Sequence, residues 1–306
     1  MWNNGNLKRA AKQHLSTSYG VAIFVMLIFF FLSGFINKIF RLAGASPDLK
    51  KLMSTYTQKL LNGQNIDYLE FITLLNATFQ NTVLISIVFS VARTVIFDPL
   101  SMSTKNWFLR NREIAGFPPI NMILEHFTSN YLNLLWASFY KNLLVFIWAL
   151  PITLAQVLQM IWVYDYFEAS VIYKDEGFLE LLPKETMILV FTTLFALVWA
   201  VVLVNRIIAY SMMGYLLADN PNLEAKTALG LSEKMMKGNK LHYFGLRLSF
   251  FFWYLLANFL NSLNLGNILL APYIEQTFAE LYASLRTQAV SMNYITMEDL
   301  GFTRSN

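Results

Sequence analysis

No cysteine occurs among the 306 residues. Its absence removes disulfides and thiolate metal sites from consideration, without fixing the redox compartment. Charge is scarce too, at 14% of residues, well below the ~25% of an average soluble domain. The three histidines, His14, His126 and His242, lie far apart, so no pair has zinc-binding spacing. Neither a phosphate-cradling GxxxxGK[ST] loop nor a GxSxG nucleophile elbow is present. No catalytic residue, metal ligand or cofactor site is nominated, and nothing warrants reading the chain as an enzyme. The net charge of +4 is modest and its basic residues are scattered, which is not the footprint of a nucleic-acid binder.

What the chain has in abundance is apolar length: 56% of residues are apolar and the mean hydropathy is +0.45. About 20 apolar residues carry a helix across the ~30 Å hydrocarbon layer. Stretches of that order recur at 20–36, 71–97, 136–164, 187–218, 244–262 and 266–285. A soluble core could hide one such helix, but five or six would need more polar surface than this length supplies. The expected fold is all-α: a polytopic membrane helix bundle of about six spans, forming a single membrane domain over 1–306.

Around those spans the chain is punctuated. Leu7, Ala11 and Leu15 at helical spacing, with Lys8, Arg9 and Lys12 between them, predict an amphipathic helix over 1–19 lying on the lipid surface. Ala43-Gly44-Ala45 looks like a signal-peptide cleavage site, but Lys38 and Arg41 precede it where charges fit poorly, so the first span is expected to be retained. Arg93 and Asp98-Pro99 are expected to end the second span, with a polar connection over 98–131. An acidic loop carrying Asp165, Glu168, Asp175, Glu176, Glu180 and Glu185 is expected after the third. The next stretch, 187–218, would be about 48 Å long if wholly helical, so it must tilt, break or project from the membrane. Asn261 to Gly266 form a turn-rich joint, which makes the last two spans an antiparallel pair.

Charge sets the orientation. With both termini cytoplasmic, the inner segments hold twelve basic residues and the outer ones seven, five of these in the long 37–70 loop. Long translocated loops tolerate charge, so the balance favours both ends inside.

Between the fourth and fifth spans Asp219-Asn220-Pro221-Asn222-Leu223 leads to Ser232-Glu233-Lys234-Met235-Met236-Lys237-Gly238. Asn220 or Asn222 can cap a helix, Pro221 suits its first turn, Glu224 meets its positive end, Lys234 and Lys237 meet its negative end, and Gly238 closes it. This predicts a cytoplasmic amphipathic helix over 222–237, with Ala228, Leu231 and Met235 facing either the membrane or the bundle.

Together with Arg206, Tyr210-Ser211-Met212, Lys240, Phe244, Leu248-Ser249-Phe250, Trp253 and Pro272-Tyr273, this motif resembles the uncharacterised bacterial membrane-protein family known as domain of unknown function 975. Asn239 stands where that family often has histidine, Asp98 where glycine is usual, and the 37–70 loop is expanded. The resemblance implies a multi-helix protein of the bacterial cell membrane, of Gram-positive type, and no reaction.

Ionisable groups at bilayer depth are functional candidates. Arg206 falls near the inner interface, where it can snorkel or bind a ligand, and Arg93 lies similarly near the end of its span. Gln156 and Gln159 share a helix face and suit helix-to-helix hydrogen bonds. Glu275, with Glu280 beyond it, is expected to pair with Arg206 or Arg93, binding of a proton or cation being the other reading. The expected function is non-enzymatic: transporting or sensing a lipid or amphiphile near Arg206, Glu275 and Gln156, or supporting an envelope complex. Two alternatives are an accessory or immunity-type protein that binds a membrane partner, and an intramembrane enzyme acting on lipids.

Overall fold

A computed structural model describes residues 2–44, 54–55, 58–59, 62, 88–114, 116–128, 130–172, 178–259 and 265–300. The regular elements among these residues are all helical: α1 (Asn4–Leu15), α2 (Tyr19–Gly44), α3 (Asp98–Arg110), α4 (Glu125–Thr128), α5 (Tyr131–Ile172), α6 (Phe178–Ala209), α7 (Met213–Asp219), α8 (Ala225–Met236), α9 (Lys240–Phe259) and α10 (Leu265–Ser291), with a π turn at Arg93–Phe97 and a 3-10 turn at Ile120–Leu124. The chain divides into two compact units, one from 2–135 with 253–281 and the other from 136–252 with the rest of α10 and the residues after it.

In the first unit, Asn3 caps α1 by accepting the Gly5 N–H at 2.7 Å. Leu7, Ala11 and Leu15 are buried. The stripe read from the sequence as facing lipid is therefore covered by protein, which leaves Arg9 and Lys12 on the exposed side. A turn at Ser16–Ser18 follows, and α2 leaves at 98° to α1.

The polar connection expected over 98–131 is a helix through its first part. The chain is helical from 88 through the π turn into α3, and Pro99 sits in the first turn of α3, where its fixed φ suits a helix. Leu100, Trp107 and Phe108 are fully buried. Among the buried polar residues of α3, Thr104 folds back on the helix, its hydroxyl donating to the Leu100 carbonyl at 2.9 Å. Trp107 Nε1 donates to the Pro118 carbonyl at 3.1 Å, which fastens the Pro118-Pro119 turn onto α3. A Cβ at Gly266 would lie 3.0 Å from both the Cα and the carbonyl oxygen of Ala257, so a residue without a side chain lets the end of α9 and the start of α10 meet closely.

In the second unit α5 and α6 run antiparallel. Trp199 stacks against Trp148 and Phe195, and Gln159 reaches Thr192 and Thr193 across the pair. Two stretches, Tyr131–Gln159 and Met187–Asp219, are long and apolar enough to cross a membrane. The most apolar 18 residues of the second have a mean hydropathy of 2.8 and none of them is buried, so its greasy side chains face outward. Among the described residues no other single helix meets that test, while α1 and α2 meet it only as a bent pair. Most of the expected 71–97 span lies outside the described residues.

The overlong 187–218 stretch is interrupted: α6 ends at Ala209 and a turn at 210–212 precedes α7. From Met187 to Ala209 the helix rises roughly 34 Å, close to the hydrocarbon thickness. Because α5 continues to Ile172 and α6 begins at Phe178, Asp165, Glu168, Glu180 and Glu185 lie on helices rather than in a loop. Continuous apolar residues between those charges keep the helical period going, and isolated charges do not break it. Asp175 and Glu176 lie outside the described residues.

One backbone problem recurs. A proline removes a helical rung and wedges the helix open around it, freeing carbonyls upstream. At three described prolines an aromatic side chain donates to a carbonyl three or four residues upstream. Tyr131 Oη donates to Val95 O, four residues before Pro99, at 2.8 Å. Trp199 Nε1 donates to Trp148 O, three before Pro151, at 2.8 Å. Tyr19 Oη donates to Leu269 O, three before Pro272, at 2.7 Å.

We predict that Tyr131→Phe lowers stability by roughly 1–2 kcal/mol through the orphaned Val95 carbonyl, and that the loss shrinks in a Pro99→Ala background where the rung is restored. Circular-dichroism melts in detergent of the two single variants and the double variant measure this. Equal losses in both backgrounds would show that the tyrosine does not act through the proline.

Candidate functional site

The densest polar cluster of the first unit surrounds Glu280, a carboxylate that is 5% exposed. It is carried by α10, whose stretch from Ile274 to Leu281 is almost wholly buried, so this acid cannot reach water by turning. Arg112, just past the end of α3, places its Nε 2.9 Å from Glu280 Oε1. His14, near the end of α1, places Nε2 3.7 Å from the same oxygen. One turn earlier on α10, Gln276 Nε2 donates to Glu280 Oε1 and to the Phe108 carbonyl, each at 3.3 Å. Gln276 Oε1 in turn accepts from Asn111 Nδ2 at 2.9 Å, and that amide also reaches the His14 carbonyl at 3.3 Å.

A buried carboxylate costs several kcal/mol unless paired, and the pair holds only while its hydrogen bonds are satisfied. This cluster therefore clamps three pieces of chain, α1, the end of α3 and α10, around one charge. It contains no nucleophile beside a base. Among the described residues no group of three His, Cys, Asp or Glu side chains is placed to hold a metal ion.

A second cluster, in the other unit, explains the motif after α7. The Asp219 carboxylate accepts from Tyr282 Oη at 2.9 Å and closely from the Arg286 guanidinium, while the Tyr215 ring stacks on Tyr282 at 5.7 Å. Asn220 Oδ1 accepts the Asn222 N–H at 3.1 Å, making a tight turn around Pro221, and Asn220 Nδ2 donates to the Leu300 carbonyl at 2.9 Å. The Ser232 hydroxyl donates to Ala209 O at 2.7 Å and accepts the Met212 N–H at 3.1 Å, so it repairs the backbone where α6 breaks. Neither asparagine caps α8. Glu224 holds the cap position without a side-chain bond, Lys237 is exposed at the other end, and Gly238 closes the helix at φ +79°. The apolar stripe of α8, with Ala228, Leu231 and Met235 all buried, faces protein and not a membrane.

The residues singled out from the sequence are distributed as follows. Arg206 pairs with Glu233 at 3.5 Å and lies over the Trp148 ring at 4.4 Å, with its side chain 40% exposed. Gln159 donates to Thr192 and Thr193 at 2.8 and 3.0 Å, a helix-to-helix bond, whereas Gln156 is exposed. Arg93 is exposed at the start of the π turn, and Glu275 is half-buried on α10. The sequence reading missed the roles of Arg112 and His14. The available signal was Gln276 and Glu280, two polar residues at i and i+4 inside a helix otherwise buried.

Residues 1–289 match the family model described as Protein of unknown function (DUF975). The match extends well beyond the C-terminal motif that carries the resemblance. No curated protein and no solved structure matches the chain.

Truncating Arg112 to alanine is expected to destabilise the protein by roughly 3–5 kcal/mol, because it strands the Glu280 charge. Adding Glu280→Ala to that variant should recover part of the loss. Chemical denaturation in detergent of both singles and the double decides it, and strictly additive losses would rule out the clamp.

Proposed function

The chain belongs to the DUF975 family of proteins of unknown function, and we propose that it is a non-enzymatic integral protein of the bacterial cell membrane that binds and responds to membrane lipid. In this reading it crosses the membrane several times, with α1 on the cytoplasmic side. The outward-facing helices α5 and α6 cross the bilayer, together with α2. Trp148 and Arg206 lie at headgroup depth, where an aromatic ring and a snorkelling guanidinium are both favoured.

The observation that carries the lipid reading is the attachment of α1. This helix contains no acidic residue, exposes basic side chains and turns at 98° into α2, so it would lie flat at the interface if α2 spans. Its last turn is wired through His14 to the buried Glu280 cluster. An anionic surface that attracts α1 thereby acts on a charge held inside the protein, which is what a lipid-responsive protein needs. Polar groups such as Arg206, Gln156 and Glu275 remain the candidates for contacts with headgroups or neighbouring helices.

Gentle purification followed by native mass spectrometry separates this reading from an accessory protein acting through a membrane partner. Copurifying lipid, lost on replacing Lys8, Arg9 and Lys12 with glutamine, is the expected result. A stoichiometric protein companion with no retained lipid would refute the proposal and favour the partner reading.

A further inference from the structure

At the inside of the α1–α2 bend lies an open apolar groove of about 340 Å³ whose lining includes Lys12, Leu15, Tyr19, Leu269, Leu270 and Tyr273. That volume is at the lower end of the range for ligand sites, about 300–1,000 Å³. All of these residues belong to the first unit. The groove has one charged residue in its lining, Lys12, which is exposed and 5.7 Å from the Tyr273 ring centroid. Its floor is held by the Tyr19 bond to the Leu269 carbonyl, so the groove is built on the helix that Pro272 interrupts. Beyond the bend, Phe24, Leu27 and Phe31 are exposed along α2.

We propose that this groove binds one anionic phospholipid, with an acyl chain lying between Leu15, Leu269 and Leu270 and the phosphate at Lys12. The inference rests on the lipid-responsive reading above and names the site and the headgroup charge. Charge complementarity selects the occupant. No acidic side chain lines the groove, and Lys8 lies one turn before Lys12, so two ammonium groups share a face. Burial first, and the charge of Lys12 second, hold the Lys8 ammonium below the usual lysine range. An anion at this face relieves that repulsion. A zwitterionic headgroup brings its own cation and relieves less, and an aqueous solute would leave the apolar lining unfilled.

The test uses the full chain in phosphatidylcholine nanodiscs doped with a phosphatidylglycerol or a phosphatidylcholine carrying a photoreactive acyl chain, with labelled peptides mapped by mass spectrometry. Labelling of 265–273 by the anionic probe should exceed that by the zwitterionic probe ~fivefold, the order expected for one lysine near an anionic headgroup. Lys12→Gln should abolish the preference while leaving chain labelling in place, and Lys226→Gln, which removes an equal charge from α8, should change neither. Leu269→Trp should block labelling by both probes. Lys12 is on the surface, so its variant will fold even if the tryptophan variant does not. Equal labelling by the two probes, or an unchanged preference in Lys12→Gln, would overturn the site. If lipid copurifies but labels only the outward faces of α5 and α6, the groove is wrong and the wider lipid reading stands. If no lipid copurifies with the wild-type chain, that wider reading fails first.

Discussion

A helix that must sit in apolar surroundings can leave no backbone carbonyl without a donor. This chain places prolines inside its helices all the same, at Pro151 and Pro272, and another at the joint of the π turn with α3. A carbonyl three or four residues before each of them receives an aromatic O–H or N–H from another element. The donor must come from a second helix, so each repair is also a tertiary contact. Tyr19 joins α2 to α10, Trp199 joins α6 to α5, and Tyr131 joins the start of α5 to the π turn. The interhelical geometry of each unit is thus set by where its prolines fall, and the packing of large apolar side chains fills in around those fixed points.

Charge is handled by the same logic. Glu280 and Asp219 are both buried acids on structural helices, and each is met by an arginine and by at least one further polar group. Such pairs contribute little net stability compared with an apolar core, but they penalise any arrangement that separates the partners. For Glu280 the partners come from α1 and the end of α3. The position of the most amphipathic of the described helices is therefore specified by a charge in the interior, in addition to its apolar stripe.

Periodicity made part of this legible. Leu7, Ala11 and Leu15 mark the inward face of α1, and the punctuation around 220–238 marks α8 to within a few residues, because stripes and caps are local signals. Family membership was legible from the motif after α7. The helix at 98–110 was hidden because Pro99 and the polar Ser103, Thr104 and Asn106 read as a loop; their side chains are buried nonetheless, and a first-turn proline does not stop a helix. The pairing of Glu280 with Arg112 and His14 was not legible. Neither partner lies within a helical turn of it, and one sequence carries no signal for contacts between distant segments. The direction of the amphipathic stripes was likewise open, since protein and lipid are equally apolar neighbours for a leucine.

The bare outer surface of α6 has a consequence for how such a chain can change. Side chains such as Phe191, Val198 and Val201 are more than two-thirds exposed and lie on the most apolar stretch of the protein. Nothing of fixed shape abuts them, so drift among leucine, isoleucine, valine and phenylalanine there is close to neutral. At Ser232, a few ångströms from the break in the same helix, the hydroxyl serves two backbone groups at once, and no apolar replacement serves either. Sequence divergence should therefore run fast along one side of this polypeptide and nearly stall at the turn that follows it.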